Sequence, residues 1–383
     1  MKKRIAILGS TGSIGVNTLD VISGLGSRYV ITALTADSSI RLLAHQARKY
    51  RPKIIFVGTE LLAKKIKPLI PSGTEVVFGR DDLSRIVSRS DVDLVVFAIS
   101  GSACLIPLVE AIRAGKAVAL ANKESLVSAG EIIMKLARKH NVKIIPVDSE
   151  HSAIFQCLNA IGKEFLTKIY LTGSGGPLLK VAKDKFDSLP RNFILKHPKW
   201  KMGKKISVDS ATMMNKALEI IEAKHLFGMD DKSIEVLIHP EAIIHSMTEF
   251  KDGSVLAQLG TPDMRLPIQY ALTYPDRAGG VVKRLDFSMV KALTFLKPDF
   301  RKFPCLGLAR TAARRGGTSP AVLCASDEEA VKNYLEGRIR FSDIPKIIEK
   351  VLSRHAEITG PSLSDILKAE RWAQEEARIL CRR

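Results

Sequence analysis

Short apolar runs, each bounded by turn or polar residues, recur through the first 148 positions. They lie at 4–9 (RIAILG), 29–36 (YVITALTA), 53–58 (KIIFVG), 74–79 (TEVVFG), 93–99 (DLVVFAI), 117–121 (AVALA) and 143–147 (KIIPV). Stretches with helical spacing separate most of them, such as 105–114 and 128–140. Strands that alternate with helices predict parallel pairing through right-handed crossovers, with helices on both faces of the sheet. The pattern changes further on. Runs at 233–239, 243–250 and 254–260 read as strands, and Lys251-Asp252-Gly253 suits a hairpin turn between the last two. Residues 275–304 are rich in proline and charge without a long period, which predicts a linker. Helical patterns follow at 306–315, 327–335, 343–354 and 363–380. In the last of these Leu363, Ile366, Leu367, Ala373, Ala377 and Leu380 make one apolar face. The expected fold is therefore α/β, with a doubly wound Rossmann-type domain (1–148), a central α+β domain with a flap (149–274), the linker, and a C-terminal helical bundle (305–383).

Composition narrows the classes of function. With 383 residues and 46% hydrophobic content the chain supports a sizeable core and two or three domains. The 59 basic and 40 acidic residues leave a net charge of +19, which favours anionic partners. The cations are spread along the chain with no long basic block, so a phosphorylated small molecule is expected rather than nucleic acid. The five cysteines are odd in number and contain no C-x-x-C pair, which argues against a disulfide framework or a zinc site and for a reducing, cytoplasmic setting. The longest uncharged apolar stretch, 94–109, is broken by Gly101 and Pro107, so no membrane span is expected. A strand begins by Arg4, which leaves no room for a signal peptide.

The first strand runs into Gly9-Ser10-Thr11-Gly12-Ser13-Ile14-Gly15, a G-x-x-G-x-x-G turn in strand–turn–helix context. Such glycines let backbone N–H groups approach a pyrophosphate at a helix N-terminus. After the second strand, Asp37 suits a ribose 2′-hydroxyl and so NAD, while Ser38 and Ser39 suit a 2′-phosphate and Arg41 adds charge; both cofactors stay open. At the end of the last strand of this domain stand Asp148 and Glu150, two apart. In extended chain that spacing aims both carboxylates to one side, where they repel or share a cation.

Residues 172–177 (TGSGGP) form a small-residue loop, and 197–203 (HPKWKMG) places Trp200 among lysines, as a mobile lid would. In 207–219, Asp209 or Ser210 suits an N-cap, and the helix that follows brings Asn215, Lys216 and Glu219 to one face opposite Met214, Leu218 and Ile221. That face could hold a phosphate through Ser210, Asn215 and Lys216 and offer a third carboxylate, Glu219. Three carboxylates without a thiol suit Mg²⁺ or Mn²⁺. His151 and His245 read as orienting or packing residues rather than ligands.

Taken together, these motifs resemble the 1-deoxy-D-xylulose 5-phosphate reductoisomerase family over essentially the whole chain. The matching stretches also include 120–125 (LANKES), 146–156 (PVDSEHSAIFQ) and 262–268 (PDMRLPI). The resemblance implies metal ligands at Asp148, Glu150 and Glu219, with Lys123, Asp148 and Glu150 in catalytic roles. It implies substrate contacts from Lys123, Ser149, Glu150, Ser174, His197, Ser210, Asn215, Lys216 and Glu219, and a flap formed by His197, Trp200 and Met202. For NADPH it implies Thr11, Gly12, Ser13, Ile14, Asn122, Glu124 and Gly203, with Asp37, Ser38 and Ser39 near the 2′-phosphate. It further implies residues 149–274 as the catalytic domain with a dimerisation sheet, a homodimer, and a divalent metal, Mg²⁺ or Mn²⁺. The implied reaction rearranges and reduces 1-deoxy-D-xylulose 5-phosphate to 2-C-methyl-D-erythritol 4-phosphate, for isoprenoid precursors. This chain departs from the family at 37–39, where a Gly and an Asn are usual, and at 324–328 (CASDE), which replaces an Asn-rich pattern. Two other readings compete. A semialdehyde-type dehydrogenase would need a catalytic cysteine, for which Cys104 is the candidate, and a basic nucleic-acid-binding protein would bind duplex in a salt-dependent way.

Overall fold

The computed structural model describes residues 2–200 and 202–382. The chain divides into two compact units: residues 1–125, 133–152 and 263–283 make the first, and 126–132, 153–262 and 284–383 the second.

The first unit is built on a seven-stranded parallel sheet in the order β4-β3-β2-β1-β5-β6-β7. Its strands are β1 (Lys3–Leu8), β2 (Tyr29–Thr35), β3 (Ile54–Val57), β4 (Glu75–Phe78), β5 (Leu94–Phe97), β6 (Ala117–Leu120) and β7 (Ile144–Pro146). Each expected strand is present, with its ends within two residues of those expected. Helices α1 (Ser13–Leu25), α2 (Ile40–Tyr50), α3 (Glu60–Ile66), α4 (Arg80–Ser88), α5 (Leu105–Arg113) and α6 (Lys123–Lys139) alternate with them, and α7 (Ser149–Ile161) follows β7. The central strands are apolar on both faces: Ile5, Ile7, Leu94, Val95 and Phe97 are all fully buried. The strand order reverses between β1 and β5. Open sheets bind ligands outside the strand ends at such a switch point.

The second unit contains α8 (Arg191–Ile194), α9 (Lys204–Thr212) and α10 (Met214–Phe227), with a four-stranded sheet ordered β11-β10-β8-β9. These strands are β8 (Leu166–Gly173), β9 (Ile234–Ile238), β10 (Ile244–Phe250) and β11 (Val255–Leu259). The expected hairpin joins β10 and β11, with Gly253 at φ 83° and the Phe250 N–H donating to Ser254 O at 3.0 Å. Strand β8 was not anticipated: its run LTKIYLTG alternates polar and apolar residues too irregularly to stand out from the loop that follows. It pairs parallel with β9 and antiparallel with β10.

The boundaries expected at 148, 274 and 304 differ from this division. Helix α11 (Arg265–Thr273) folds with the first unit, where Arg265 pairs with Asp20 at 2.9 Å and Lys3 Nζ donates to Leu272 O at 3.1 Å. Residues 284–304 fold with the second unit instead of forming a free linker. Ile238 and Leu296 exchange backbone hydrogen bonds at 2.8 and 2.9 Å, and Phe303 is buried. The tail helices α12 (Cys305–Arg315), α13 (Ser319–Glu336), α14 (Asp343–Arg354) and α15 (Leu363–Cys381) share one apolar core with the sheet and α10. Among the described residues no helix is long and apolar enough to cross a membrane.

One core carboxyl gives the second unit a measurable pH dependence. Burial, aided by Glu328, pushes Glu370 up to about 7 from its ordinary 4.5. The folded state therefore holds this proton more tightly than the unfolded chain does. Its contribution is full below pH 4.5 and is lost as pH rises through 7. Glu370→Gln, which mimics the protonated side chain, is expected to leave the melting temperature at pH 4.5 nearly unchanged and to raise it at pH 8. Equal effects at both pH values would refute the shift.

Candidate functional site

In the first unit the switch point is occupied by the glycine turn. The Gly9 N–H donates to Thr35 Oγ1 and the Ser10 N–H to Thr35 O, both at 2.8 Å, so the turn is tied to the end of β2. The three glycines do different work. A Cβ on Gly9, at φ 85°, would lie 2.5 Å from Ala98 O, and one on Gly15 would lie 2.3 Å from Gly9 O. The fold requires both of these. A Cβ on Gly12 would meet only Gly9 O at 3.5 Å, an ordinary contact, and Gly12 has φ −76°. Nothing within the chain demands glycine there, whereas a ligand close to the backbone at the start of α1 would. Thr11, Ser13 and Ile14 flank it at the surface or half-buried. Beyond β2, Asp37, Ser38 and Ser39 are exposed, and a Cβ on Gly58 would strike the Asp37 carboxylate at 2.4 Å.

The end of β6 is shaped by Asn122. Its carbonyl oxygen caps α6 by accepting from the Ser125 N–H at 2.9 Å, while its amide donates to Ile99 O, Gly101 O and Glu124 Oε2. Asn122 and Glu124 are thus buried and fixed, which gives them a structural role alongside the expected cofactor contact. The next residue, Lys123, is 8% exposed and places its ammonium 2.9 Å from Asp148 Oδ2.

The acid pair does not lie on extended chain as its spacing suggested. Asp148 precedes α7, accepts the Ser152 N–H on its carbonyl at 2.8 Å, and takes the Glu150 N–H on Oδ1 at 3.3 Å. It is the cap of that helix, and Glu150 stands in the first turn, where the helix dipole favours a carboxylate. Ser149 Oγ donates to Glu150 Oε2 at 2.5 Å, and the fully buried His151 sets Nδ1 3.1 Å from Asp148 Oδ1. His151 therefore orients an acid, as the sequence suggested.

In the second unit the TGSGGP loop leaves the end of β8 and lies against α9 and α10. Gly175 and Gly176 adopt φ 81° and 66°. A Cβ on Gly176 would lie 2.5 Å from Ser210 O, and one on Gly173 would lie 2.9 Å from Lys216 Cε. The small residues are there so that backbone can close on Ser210 and Lys216. Ser174 Oγ is 3.0 Å from His197 Nε2. Because His197 Nδ1 accepts the N–H groups of Lys199 and Trp200 at 3.1 and 3.0 Å, the neutral ring carries its proton on Nε2 and donates it to Ser174. Trp200 lies 6.4 Å, ring to ring, from His245, and Met202 and Gly203 lead into α9; Lys201 is outside the described residues.

Asp209 and Ser210 are inside α9, not at a helix start. The helix breaks later, at Met213, whose φ of 63° turns the chain into α10. The predicted polar face of α10 is present: Asn215 Nδ2 and Lys216 Nζ donate to Glu219 at 2.6 and 2.5 Å, and Glu219 is fully buried. Two hydroxyls, an ammonium and an imidazole thus gather around one glycine loop, with Asn215 next to Lys216 on α10, a donor set that suits a phosphate. Sequence reasoning missed Lys205, which bridges Asp209 at 2.6 Å and Asp327 at 2.9 Å and ties α9 to α13. Its signal was the i,i+4 spacing to Asp209.

Cys104, the nucleophile a semialdehyde-type dehydrogenase would need, is fully buried, and burial pushes its thiol far above the ordinary value. A thiol held so firmly protonated is a poor nucleophile.

Comparison with known proteins agrees with the geometry. Family models for 1-deoxy-D-xylulose 5-phosphate reductoisomerase match residues 5–130, its C-terminal domain 144–227, and the DXP reductoisomerase C-terminal domain 259–376. A 1-deoxy-D-xylulose 5-phosphate reductoisomerase of Acetivibrio thermocellus is 51% identical, with 98% of each chain covered. The chain belongs to the 1-deoxy-D-xylulose 5-phosphate reductoisomerase family. Another curated reductoisomerase, from Desulfosudis oleivorans, is 50% identical over 99% of both chains. Among solved structures, the Zymomonas mobilis reductoisomerase in complex with NADPH matches with TM-score 0.92 and 40% identity, covering 100% of this chain and 99% of that one. A DOX-P reductoisomerase in complex with NADPH, fosmidomycin and magnesium matches with TM-score 0.93 and 39% identity, covering 99% and 98%.

Proposed function

We propose that this reductoisomerase family member converts 1-deoxy-D-xylulose 5-phosphate to 2-C-methyl-D-erythritol 4-phosphate with NADPH and a divalent metal, as a step towards isoprenoid precursors. The phosphate-binding donor set around the TGSGGP loop carries this reading, because it explains the net charge, the glycines and the buried polar face of α10 together. Solved relatives carry NADPH and magnesium.

The residues present fit both groups. Gly12 leaves open room where a dinucleotide phosphate would approach α1, with Thr11, Ser13 and Ile14 beside it and Asn122, Glu124 and Gly203 as further contacts. Asp37, Ser38 and Ser39 are exposed where the 2′-phosphate would lie. Asp148, Glu150 and Glu219 supply all-oxygen ligands that suit Mg²⁺ or Mn²⁺, and each is oriented by a neighbouring donor. A bound divalent ion polarises the substrate carbonyl and its adjacent hydroxyl, and NADPH supplies the hydride. The chain does the rest. Ser174, Ser210, Asn215 and Lys216 hold the phosphate, with His197 fixing the Ser174 hydroxyl. Ser149 orients Glu150 and the substrate. Lys123 places positive charge against developing oxyanion character. His197, Trp200 and Met202 close over the substrate and exclude water from the reactive aldehyde.

The deciding assay is oxidation of NADPH dependent on the deoxyxylulose phosphate. Activity is expected to vanish in EDTA and to return with Mn²⁺ or Mg²⁺; full turnover in EDTA would refute the metal role.

The chain is further read as a cytoplasmic homodimer. All five cysteines are free and buried, in keeping with a reducing compartment. Phe287, Met289, Leu293 and Leu296 are exposed large apolar side chains within ten residues of one another, a surface suited to a second copy. Sedimentation equilibrium is expected to give twice the chain mass, and Met289→Asp with Leu296→Asp to give monomer. A monomeric parent would sink this reading.

A further inference from the structure

Behind α12, in the second unit, lies a cavity of about 470 Å³ that plays no part in the chemistry above. Its size falls in the range of small-molecule sites. Phe300, Phe303, Leu308, Phe341 and Pro345 make its walls largely apolar, and Thr212, at the end of α9, contributes a hydroxyl. The charges on the lining are uneven: Lys346 pairs with Asp343 at 3.2 Å, which leaves Lys183 and Lys302 against a single acid, Glu349. Lys183 Nζ donates to Arg301 O and Lys302 Nζ to Leu179 O, both neutral carbonyls, so neither bond cancels the ammonium charge. Lys302 also lies over the rings of Phe186 and Phe303, at 5.9 and 5.4 Å from their centroids.

A further observation concerns Gly307, another lining residue. It sits in the first turn of α12, where glycine is still less favourable than alanine, by up to about 1 kcal/mol. Its φ is not positive, and a Cβ built on it meets nothing within 4 Å. No turn, close approach or backbone strain in the fold calls for glycine here. The missing side chain enlarges the cavity.

We propose that this cavity is a second ligand site, separate from the nucleotide and phosphate sites, for a small molecule with an apolar body and one anionic group. The apolar walls take the body, and Lys302 with Lys183 takes the anion. Burial lowers the pKa of the Lys302 ammonium, and an anion beside it would raise that pKa again.

Anilinonaphthalene sulfonate has this chemistry and reports its own binding by fluorescence. Titrated into the folded full chain, it is expected to bind saturably at one site per chain and to raise the melting temperature. Saturating NADPH or glycerol 3-phosphate is expected to leave the signal unchanged. Gly307→Leu fills the open space and is expected to weaken binding by about tenfold or more while holding or raising the melting temperature. Glu349→Lys, a change on the rim that does not depend on the core repacking, is expected to tighten binding about threefold at low salt. Displacement by NADPH or glycerol 3-phosphate overturns the proposal, as does unaltered binding in either variant or no saturable binding by the parent chain.

Discussion

Glu219→Gln is expected to lower kcat by about 10³-fold or more while the chain stays folded. Glu219 is fully buried, and its two oxygens take hydrogen bonds from Asn215 and Lys216. Glutamine keeps the shape but removes the charge. Lys216 then faces an amide dipole instead of a carboxylate, and a metal loses an anionic ligand. Because breaking a buried ion pair can cost about 3–5 kcal/mol, stability must be followed separately. Thermal unfolding reports the structural part, and Mn²⁺ binding followed by electron paramagnetic resonance reports the ligand part. Weak Mn²⁺ binding in a folded variant supports the assignment. A variant with activity within tenfold of the parent would remove Glu219 from the metal site.

The second large effect separates two glycines three residues apart. Gly15→Ala is expected to destabilise the first unit by about 3 kcal/mol or more, since its Cβ would lie 2.3 Å from Gly9 O and 2.4 Å from Ser10 Cα. Both are backbone atoms of the turn, so relief would mean separating α1 from β1. Gly12→Ala should cost about 1 kcal/mol or less, the ordinary loss of a glycine N-cap. It should nevertheless weaken NADPH binding by about 10- to 100-fold, because the added methyl group projects where a phosphate would approach. Calorimetry and NADPH fluorescence titration measure the two effects. If Gly12→Ala bound NADPH as tightly as the parent, the turn would not be the phosphate site.

Much of this is legible in the sequence. The seven strands of the first sheet are each marked by a short apolar run, because the inner strands are buried on both faces and admit few polar residues; β4, at the edge, is mostly exposed. The face shared by Asn215, Lys216 and Glu219 followed from helical spacing alone, and the hydrogen bonds to Glu219 bear it out. Strand β8 was hidden because a half-exposed strand mixes polar and apolar residues. The sequence suggests a helix start at Asp209 or Ser210, because Asp and Ser are strong capping residues, whereas the chain is already helical there and turns at Met213. Inside α9 the Asp209 carboxylate is instead engaged by Lys205, and the turn falls on a residue with no turn preference.

By itself, then, the sequence determined the parallel α/β sheet, the glycine turn and the residue types that point to phosphate and a hard metal. Each rests on local periodicity or on chemistry carried within a few neighbouring residues. The tertiary structure alone decided that Asp148 caps a helix and pairs with Lys123, that Gly12 is spare to the fold while Gly9 and Gly15 are not, and that residues 263–283 fold with the first unit. Those facts depend on which distant backbone comes within contact range, and no local pattern encodes that distance.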